Sequence, residues 1–413
     1  MSKFTHNDLI ILLTAIGVIL ILSRVIGELG RKFKFPIVMG EIVVGILLGP
    51  TVIGTINPEF FEKVFPKDGN VSIAFDGLVN LSVVLLLFVA GLEVQLSLVL
   101  KQGKAAISTG FFSMIIPFAT GFAAAYYFPT LFGYDTDTRG DIFFAIFLGT
   151  ALSVSALPVI ARILMDMNLF KSSIGMLIIA SAMFNDLIAW LIFSFLLAMN
   201  SSEGTLGVGY TILYILAFGL FMLTIGKKII DRSLPWIQTK LSWPGGVLSI
   251  SIGICLLCAA FTEKINIHAI LGAFIAGIAF GDSVHLHEKA REILHQFVTN
   301  FFAPLFFVSI GLRVNFFDNF DVMIVGIVLL LAYFGKVVGA TFGAYLGGIK
   351  IRTAIAVGFG LNARGAMEII LGTIALNAGL ISQKIFVALV VMALVTSLTS
   401  APMIRKFYVE KGK

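Results

Sequence analysis

Charged residues are scarce in this chain, where Asp, Glu, Lys and Arg make up 13% of 413 residues and the mean hydropathy is +1.02. A typical soluble domain carries about 25% charged residues, so the composition excludes that class. Long polar segments are scarce as well. The longest polar stretches, near 55–73, 129–141 and 282–296, are too short for a soluble domain. We therefore expect a polytopic membrane protein without a soluble regulatory domain.

Cysteine is also rare, with Cys255 and Cys258 as the two examples, both inside an apolar run. A zinc or redox centre would need further ligands, and the sequence has none nearby. We interpret the two cysteines as packing residues and expect no cofactor. The net charge of +6 is interpreted through membrane topology, so no nucleic-acid partner is expected.

Long apolar runs, in contrast, follow one another along the whole chain. Each is long enough to cross the hydrocarbon core of a bilayer as a helix. The lipid bilayer is therefore a predicted partner of nearly every segment. The thirteen predicted spans lie near 9–27, 36–54, 74–92, 105–128, 142–162, 174–199, 207–229, 244–261, 266–281, 297–313, 321–347, 353–378 and 382–404.

The basic residues between these spans predict the orientation. With the amino terminus outside, twenty Lys and Arg residues fall on the inner side and seven on the outer side. This excess is what the positive-inside rule requires. We expect an integral protein of a bacterial inner membrane, with its amino terminus outside and its carboxyl terminus in the cytoplasm.

Two pairs of matching segments indicate an internal repeat. Span three ends in FVAGLEV (88–94) and span ten in FVSIGLRV (307–314). Spans two and nine share the spacing G-x4-G-x3-G, at Gly40, Gly45 and Gly49 and at Gly272, Gly277 and Gly281. Close helix packing alone also accounts for single glycines. Because both pairs are seven spans apart, the second copy crosses the membrane in the opposite direction. An inverted repeat is typical of alternating-access transporters.

Spans five and twelve, which correspond in the two repeats, both contain residues that interrupt a helix. Span five has hydroxyl residues before Pro158, and span twelve has three glycines, an amide and two charges between Gly358 and Glu368. A simple proline kink is the alternative for span five. Discontinuous helices leave carbonyl and amide groups free to face an ion near the bilayer midplane. We predict two broken, crossed helices in an all-α fold.

Asp186 is the candidate centre of the site, because it lies about twelve residues into span six, roughly 18 Å deep at ~1.5 Å per residue. An ionisable residue at this depth is a functional candidate, although a structural carboxyl between helices is the alternative. The other charges inside spans are Glu41, Lys336, Arg364 and Glu368. We interpret Glu41, Arg364 and Glu368 as charges that pair to hold the broken helices.

The residue types around Asp186 suit a monovalent cation. Its carboxylate, the Asn185 amide oxygen and the hydroxyl of Thr150 or Ser153 are hard oxygen ligands for Na⁺ or K⁺, with Asp186 and Thr150 as the expected metal ligands. Desolvation favours the protonated carboxyl, so a proton and a cation compete for one group. The first hypothesis is a proton/cation antiporter. An ion-coupled solute symporter on a similar fold, and a channel or sensor, are the alternatives.

Several of these segments together resemble a known family. They are Pro36 with Gly40-Glu41 and Gly49-Pro50, 87–93, 150–162, Asn185-Asp186, 272–274, 304–307 and Arg364-Gly365. The combination resembles the second subfamily of the monovalent cation:proton antiporters. The resemblance implies a transporter and not an enzyme, exchanging protons for Na⁺ or K⁺ as a homodimer by an elevator-like motion.

The family pattern also implies a division of the chain and residue roles. It implies that Asp186 binds both ion and proton, that Thr150 and Ser153 lie on the first broken helix, and that Lys336 faces the site. The implied segments are a six-helix core domain at about 105–199 and 321–404, dimerisation or scaffold helices at about 9–92 and 244–313, and a linking helix at about 207–229.

One difference within the family concerns charge. Electrogenic members of the subfamily carry two consecutive aspartates where this chain has Asn185-Asp186. The asparagine resembles the pattern of electroneutral exchangers. The resemblance therefore implies that one proton is exchanged for one cation.

Overall fold

A computed structural model of the protein describes residues 4–32, 37–66, 68–94, 103–133, 142–167, 169–170, 172–200, 205–265, 268–283 and 285–408. The description omits the side chains of residues 31, 158, 162, 166, 186, 187, 190, 194–200, 205–212 and 366.

All regular elements in these ranges are helical, without a β-strand. The first nine α-helices are α1 (His6–Lys32), α2 (Ile37–Leu48), α3 (Ile53–Ile56), α4 (Pro58–Val64), α5 (Asn70–Glu93), α6 (Gly103–Tyr127), α7 (Ile142–Ser153), α8 (Leu157–Asp166) and α9 (Ser173–Asn200). The other ten are α10 (Thr205–Phe221), α11 (Lys227–Lys240), α12 (Gly245–Lys264), α13 (Ala269–Gly281), α14 (Glu288–Phe297), α15 (Ala303–Arg313), α16 (Val322–Leu346), α17 (Ile351–Leu361), α18 (Ala366–Asn377) and α19 (Gln383–Phe407).

The number of membrane crossings agrees with the sequence. In the described part of the chain, nine helical stretches are long and apolar enough to span a bilayer. The helices α9 and α13, together with the broken helices α7–α8 and α17–α18, bring the number to thirteen. The prediction of about thirteen spans with two broken helices is confirmed.

The seventh and tenth spans extend beyond their predicted bounds. The helix that begins as α10 passes through the π-helical turn Met222–Gly226 into α11, and the tenth span begins with α14 and the π-helical turn Val298–Phe302. Both extensions are amphipathic and carry charged residues on one side. A search for continuous apolar runs therefore detects only the apolar part of each helix.

The helices form two compact units, each made of two chain segments. One unit comprises Met1–Val94 with Thr211–Asn319, and the other comprises Gln95–Tyr210 with Phe320–Lys413. We call them the first and second unit. Each contains helices from both repeats, because the segments before and after the middle of the chain alternate between them. The two broken helices belong to the second unit.

Glycines allow very close helix packing in the first unit. Helix α2 packs against α15, and α5 packs against α13. A Cβ atom at Gly45 would lie 3.0 Å from the Cα of Gly311, and one at Gly277 would lie 2.9 Å from the Cα of Gly91. The offset of seven spans relates α2 to α13 and α5 to α15, so each of the two helix contacts is the repeat-related copy of the other. The matched glycine motifs therefore mark equivalent helix contacts in the two repeats.

The second unit is built around the contact between α6 and α16. Three glycines of α16, namely Gly335, Gly339 and Gly343, face the backbone of α6 so closely that a Cβ would collide with it. Helix α9 packs against α6 and α7, while α19 packs against α16, α17 and α18. This arrangement brings Lys336, one residue after Gly335, to the broken helices.

We expect Gly277→Leu to lower the free energy of unfolding by about 3 kcal/mol, because the added side chain meets the backbone of α5 and cannot be avoided by a rotamer change. Thermal unfolding of the detergent-solubilised protein measures the effect. Gly253→Leu is the control, because a Cβ at Gly253 meets no atom within 4 Å. Equal melting temperatures for the two variants would contradict the glycine contact.

Candidate functional site

The two broken helices cross at their non-helical segments. The first break lies between α7 and α8, and the second lies between α17 and α18. The backbone N–H of Ala156 donates to the Ala363 carbonyl oxygen at 3.0 Å. The Ser155 hydroxyl donates to the Leu361 carbonyl oxygen at 2.9 Å. The chain of one repeat thus provides hydrogen bonds to the helix end of the other, which fixes the crossing.

Proline and glycine residues begin the helices that follow the breaks. Pro158 lies in the first turn of α8, where its missing N–H interrupts no hydrogen bond. Gly365 directly precedes α18. Both breaks therefore occur where the sequence predicts them.

The carboxyl-terminal end of α7 is bound by two buried cations. The end of an α-helix exposes free carbonyl oxygens and carries about half a negative charge. Arg364 donates from Nη1 to the Ala151 oxygen at 2.9 Å and from Nη2 to the Leu152 oxygen at 2.6 Å. The Nζ of Lys336 donates to the Ser153 oxygen. The last three carbonyl groups of α7 are therefore all bound by cationic side chains from the second repeat.

Glu368 neutralises part of this positive charge. Its Oε1 lies 3.3 Å from Arg364 Nη1, and both side chains are at most 1% exposed. The Ser397 hydroxyl holds the backbone of Arg364, donating to its carbonyl oxygen and accepting from its N–H. Glu41, which the sequence grouped with this pair, lies on α2 in the first unit, where its Oε2 has no hydrogen-bond partner among the described residues.

Asn185 links Lys336 to α6. The orientation of its amide follows from its partners: the oxygen accepts from Lys336 Nζ at 3.1 Å and from Ser113 Oγ at 2.9 Å, and the nitrogen donates to the Gly110 oxygen at 2.8 Å. Asn185 is fully buried. Asp186 follows it on α9, and the Asp186 side chain lies outside the described residues.

The two predicted hydroxyl ligands lie on the first broken helix and are buried. Thr150 donates to the Ile146 oxygen at 2.7 Å. Ser153 directs its hydroxyl towards the oxygens of Gly149, at 2.7 Å, and Met114, at 3.0 Å. In each case the hydroxyl group donates its hydrogen bond to a carbonyl oxygen, so the hydroxyl oxygen keeps lone pairs that can face a cation.

Sequence reasoning did not identify the serines that complete the site, Ser113, Ser155 and Ser397. Serine is common in membrane helices, where it bonds to carbonyls of its own helix. The sequence therefore carries no signal that separates these three from the others. Only the folded chain shows that each one bonds to a segment distant in the sequence.

The crossing thus combines fixed positive charge with oxygen-rich surroundings. Lys336 and Arg364 neutralise the end of α7, and Asn185 joins one of them to the helix that carries Asp186. A carboxylate in such surroundings can bind either a proton or a monovalent cation. The crossing of the broken helices is therefore the candidate site.

The family model for the transmembrane part of sodium/hydrogen exchangers matches residues 13–407. The chain belongs to the sodium/hydrogen exchanger family. Family membership confirms the resemblance to cation:proton antiporters and makes this exchanger a transporter and an integral membrane protein.

Relatives of the exchanger carry consistent descriptions. It is 30% identical over 406 residues to the Na(+)/H(+) antiporter NhaS4 of Synechocystis, covering 97% of this chain and 98% of that protein. It is 31% identical over 388 residues to the K(+)/H(+) antiporter 1 of Saccharomyces cerevisiae, covering 90% of this chain and 43% of that protein. The chain thus spans less than half the length of the yeast relative. Both are described as antiporters, so the symporter alternative has no support.

The fold has a solved counterpart. The sodium proton antiporter MjNhaP1 from Methanocaldococcus jannaschii, solved at pH 8, superimposes with a TM-score of 0.64 at 15% sequence identity, with 96% of each chain covered. This likeness supports the helical inverted-repeat fold.

We expect Arg364→Met to lower the free energy of unfolding by about 3–5 kcal/mol, because it leaves the buried Glu368 carboxylate without its partner. The double variant Arg364→Met/Glu368→Met should recover a large part of the loss, since it removes the uncompensated charge. Thermal unfolding of both variants in detergent measures this. A double variant no more stable than the single one would contradict a charged pair.

Proposed function

We propose that the protein exchanges protons for Na⁺ or K⁺ at a site that contains Asp186. The observation that supports it most directly is the position of Lys336, whose Nζ joins the end of α7 to the amide of Asn185. Asp186 is the next residue of the same helix turn. Family membership supports the exchange reaction, and the buried ammonium group of Lys336 supports this part of the fold as its location.

In the proposed cycle, deprotonated Asp186 binds the cation with oxygen from Thr150 or Ser153, and protonation releases it. Desolvation makes an empty, charged carboxylate costly to move, so the site changes sides only when loaded. Competition for one carboxylate then couples the two fluxes. The cation is a substrate of this cycle and not a resident cofactor.

For Asn185 we propose a positioning role in place of the ligand role that the sequence predicts. Its amide oxygen already accepts from Lys336 and Ser113, which occupies both lone pairs. We therefore assign it to positioning Lys336, and the proposed cation ligands are Asp186, Thr150 and Ser153.

The second unit is the proposed moving core. The first unit provides the proposed scaffold, and the helix formed by α10 and α11 is the proposed linking helix. The presence of both broken helices in one compact unit supports this division. We also propose a homodimer in a bacterial inner membrane, with the amino terminus outside. The excess of basic residues on the inner side supports that orientation.

Asp186→Asn is expected to abolish exchange while leaving folding intact, because an amide keeps the volume but cannot carry the charge. Cation-driven proton movement in proteoliposomes, followed with a pH-sensitive dye, measures this with Na⁺ and K⁺ in turn. Asp318→Asn, at an exposed loop residue, is the matched control. Exchange at the control rate in Asp186→Asn, with an unchanged melting temperature, would reject the assignment.

The proposed stoichiometry is one proton for one cation. The Nζ of Lys336 donates to the Ser153 oxygen and to the Asn185 amide oxygen, and we propose that it keeps its proton throughout the cycle. Asp186 is then the carboxyl group that titrates during transport. One charge enters for each charge that leaves.

An imposed potential of 100 mV, worth ~2.3 kcal/mol per elementary charge, should therefore leave the exchange equilibrium unchanged. The measurement is the ratio of cation gradient to pH gradient at zero net flux, with the vesicles clamped at 0 and at 100 mV. Asn185→Asp supplies a second carboxyl group next to Asp186 and should make that ratio voltage-dependent. A shift in the unsubstituted protein would show electrogenic exchange.

A further inference from the structure

Three side chains at the second break have buried polar atoms without a partner among the described residues. These atoms are Nδ2 and Oδ1 of Asn362, Nε of Arg364 and Oε2 of Glu368. Asn362 is fully buried, and the other two residues are each 1% exposed. Buried polar groups are almost always paired, because an unpaired one loses its hydration without compensation. Their concentration within seven residues points to a bound molecule.

The donors and acceptors in this cluster identify the kind of molecule. Nδ2 of Asn362 and Nε of Arg364 need acceptors, while Oδ1 of Asn362 and Oε2 of Glu368 need donors. A metal cation satisfies only the two oxygens and is repelled by the guanidinium group. An anion satisfies only the two N–H groups and is repelled by the carboxylate. Water is neutral and both donates and accepts, so it fits all four atoms.

We propose that Asn362, Arg364 and Glu368 hold buried water inside the second break, with Asn362 as its main binding residue. The effect of this water on transport rests on the proposed function. Water on Oε2 hydrates the Glu368 carboxyl group, Glu368 holds Arg364, and Arg364 binds the Ala151 and Leu152 carbonyl groups of α7. Asn362 is thus a positioning residue for the ion site and not a ligand of the transported cation.

The first break shows why the second one needs this molecule. Ser155, in the first break, has a protein partner across the crossing in the Leu361 carbonyl group. Asn362 lies next to Leu361, and its amide has no such partner among the described residues. The polar side chain of the first break thus has a direct hydrogen bond across the crossing, whereas the Asn362 amide of the second break is completed by solvent.

Asn362→Leu tests the proposal by the sign of its effect on stability. Leucine has nearly the same volume and no polar atom. In a dry site it would remove two unpaired groups and leave the melting temperature unchanged or raised. In a hydrated site it expels water from Arg364 and Glu368, and we expect a fall of about 2–4 °C. We also expect the KM for the cation to rise several-fold, with a smaller change in maximal rate.

Two further variants separate hydration from general damage. Asn362→Ser keeps a donor and an acceptor and leaves room for water, so it should restore most of the melting temperature and KM. Thr396→Val is the matched control, because this buried hydroxyl donates to the Met392 oxygen of its own helix. Its KM should equal that of the unsubstituted protein.

A high-resolution cryo-EM map of the unsubstituted protein provides the direct test. Density for water within hydrogen-bond distance of the Asn362 amide is the expected result. A map with no such density, or an Asn362→Leu protein at least as stable and with the same KM, would overturn the proposal. Stability and density do not depend on transport, so they stand even if Asp186→Asn still exchanges ions and the proposed function fails.

Discussion

The negative end of α7 is the constraint on which the second unit depends. A helix that stops inside a bilayer leaves carbonyl groups with no water to bind, and each would be costly if left unpaired. Arg364 and Lys336 reach these groups from the other repeat. They satisfy the carbonyls and also bring two positive charges to the middle of a membrane protein. Arg364 and Lys336 are therefore needed inside the spans by the broken helix itself, whatever part they have in ion binding.

This arrangement makes the two repeats unequal. The second repeat contributes both cations and one carboxylate to the crossing, whereas the first contributes Ser155 and backbone N–H groups. Inverted repeats provide similar backbone paths in opposite directions, but the charged side chains that bind α7 come from one repeat. A nearly symmetric fold therefore carries an asymmetric set of charges where its broken helices cross.

Local signals in the sequence were sufficient for the helices and for both breaks. Pro158 in span five, and the glycine, amide and charged residues of span twelve, mark the breaks locally, so the breaks can be derived without knowing the fold. The contacts of Arg364 with Ala151 and Leu152 join residues more than two hundred positions apart, and no local pattern predicts them. For the same reason the sequence does not predict the pairing of Asn185 with Lys336, because it depends on how α9 and α16 both pack on α6. Glu41 was grouped with Arg364 by charge alone, although it belongs to the first unit.

The paired glycine contacts of the first unit have a consequence for biosynthesis. Helix α2 packs on α15, and α5 packs on α13. The partner of each early helix is therefore synthesised much later than the helix itself. Contacts so distant along the chain form slowly, because a long loop must close before they stabilise anything. The glycine surface of α5 stays uncovered until α13 is complete at residue 281, and that of α2 until α15 is complete at residue 313. At that stage the uncovered surfaces favour misassembly of the nascent chain.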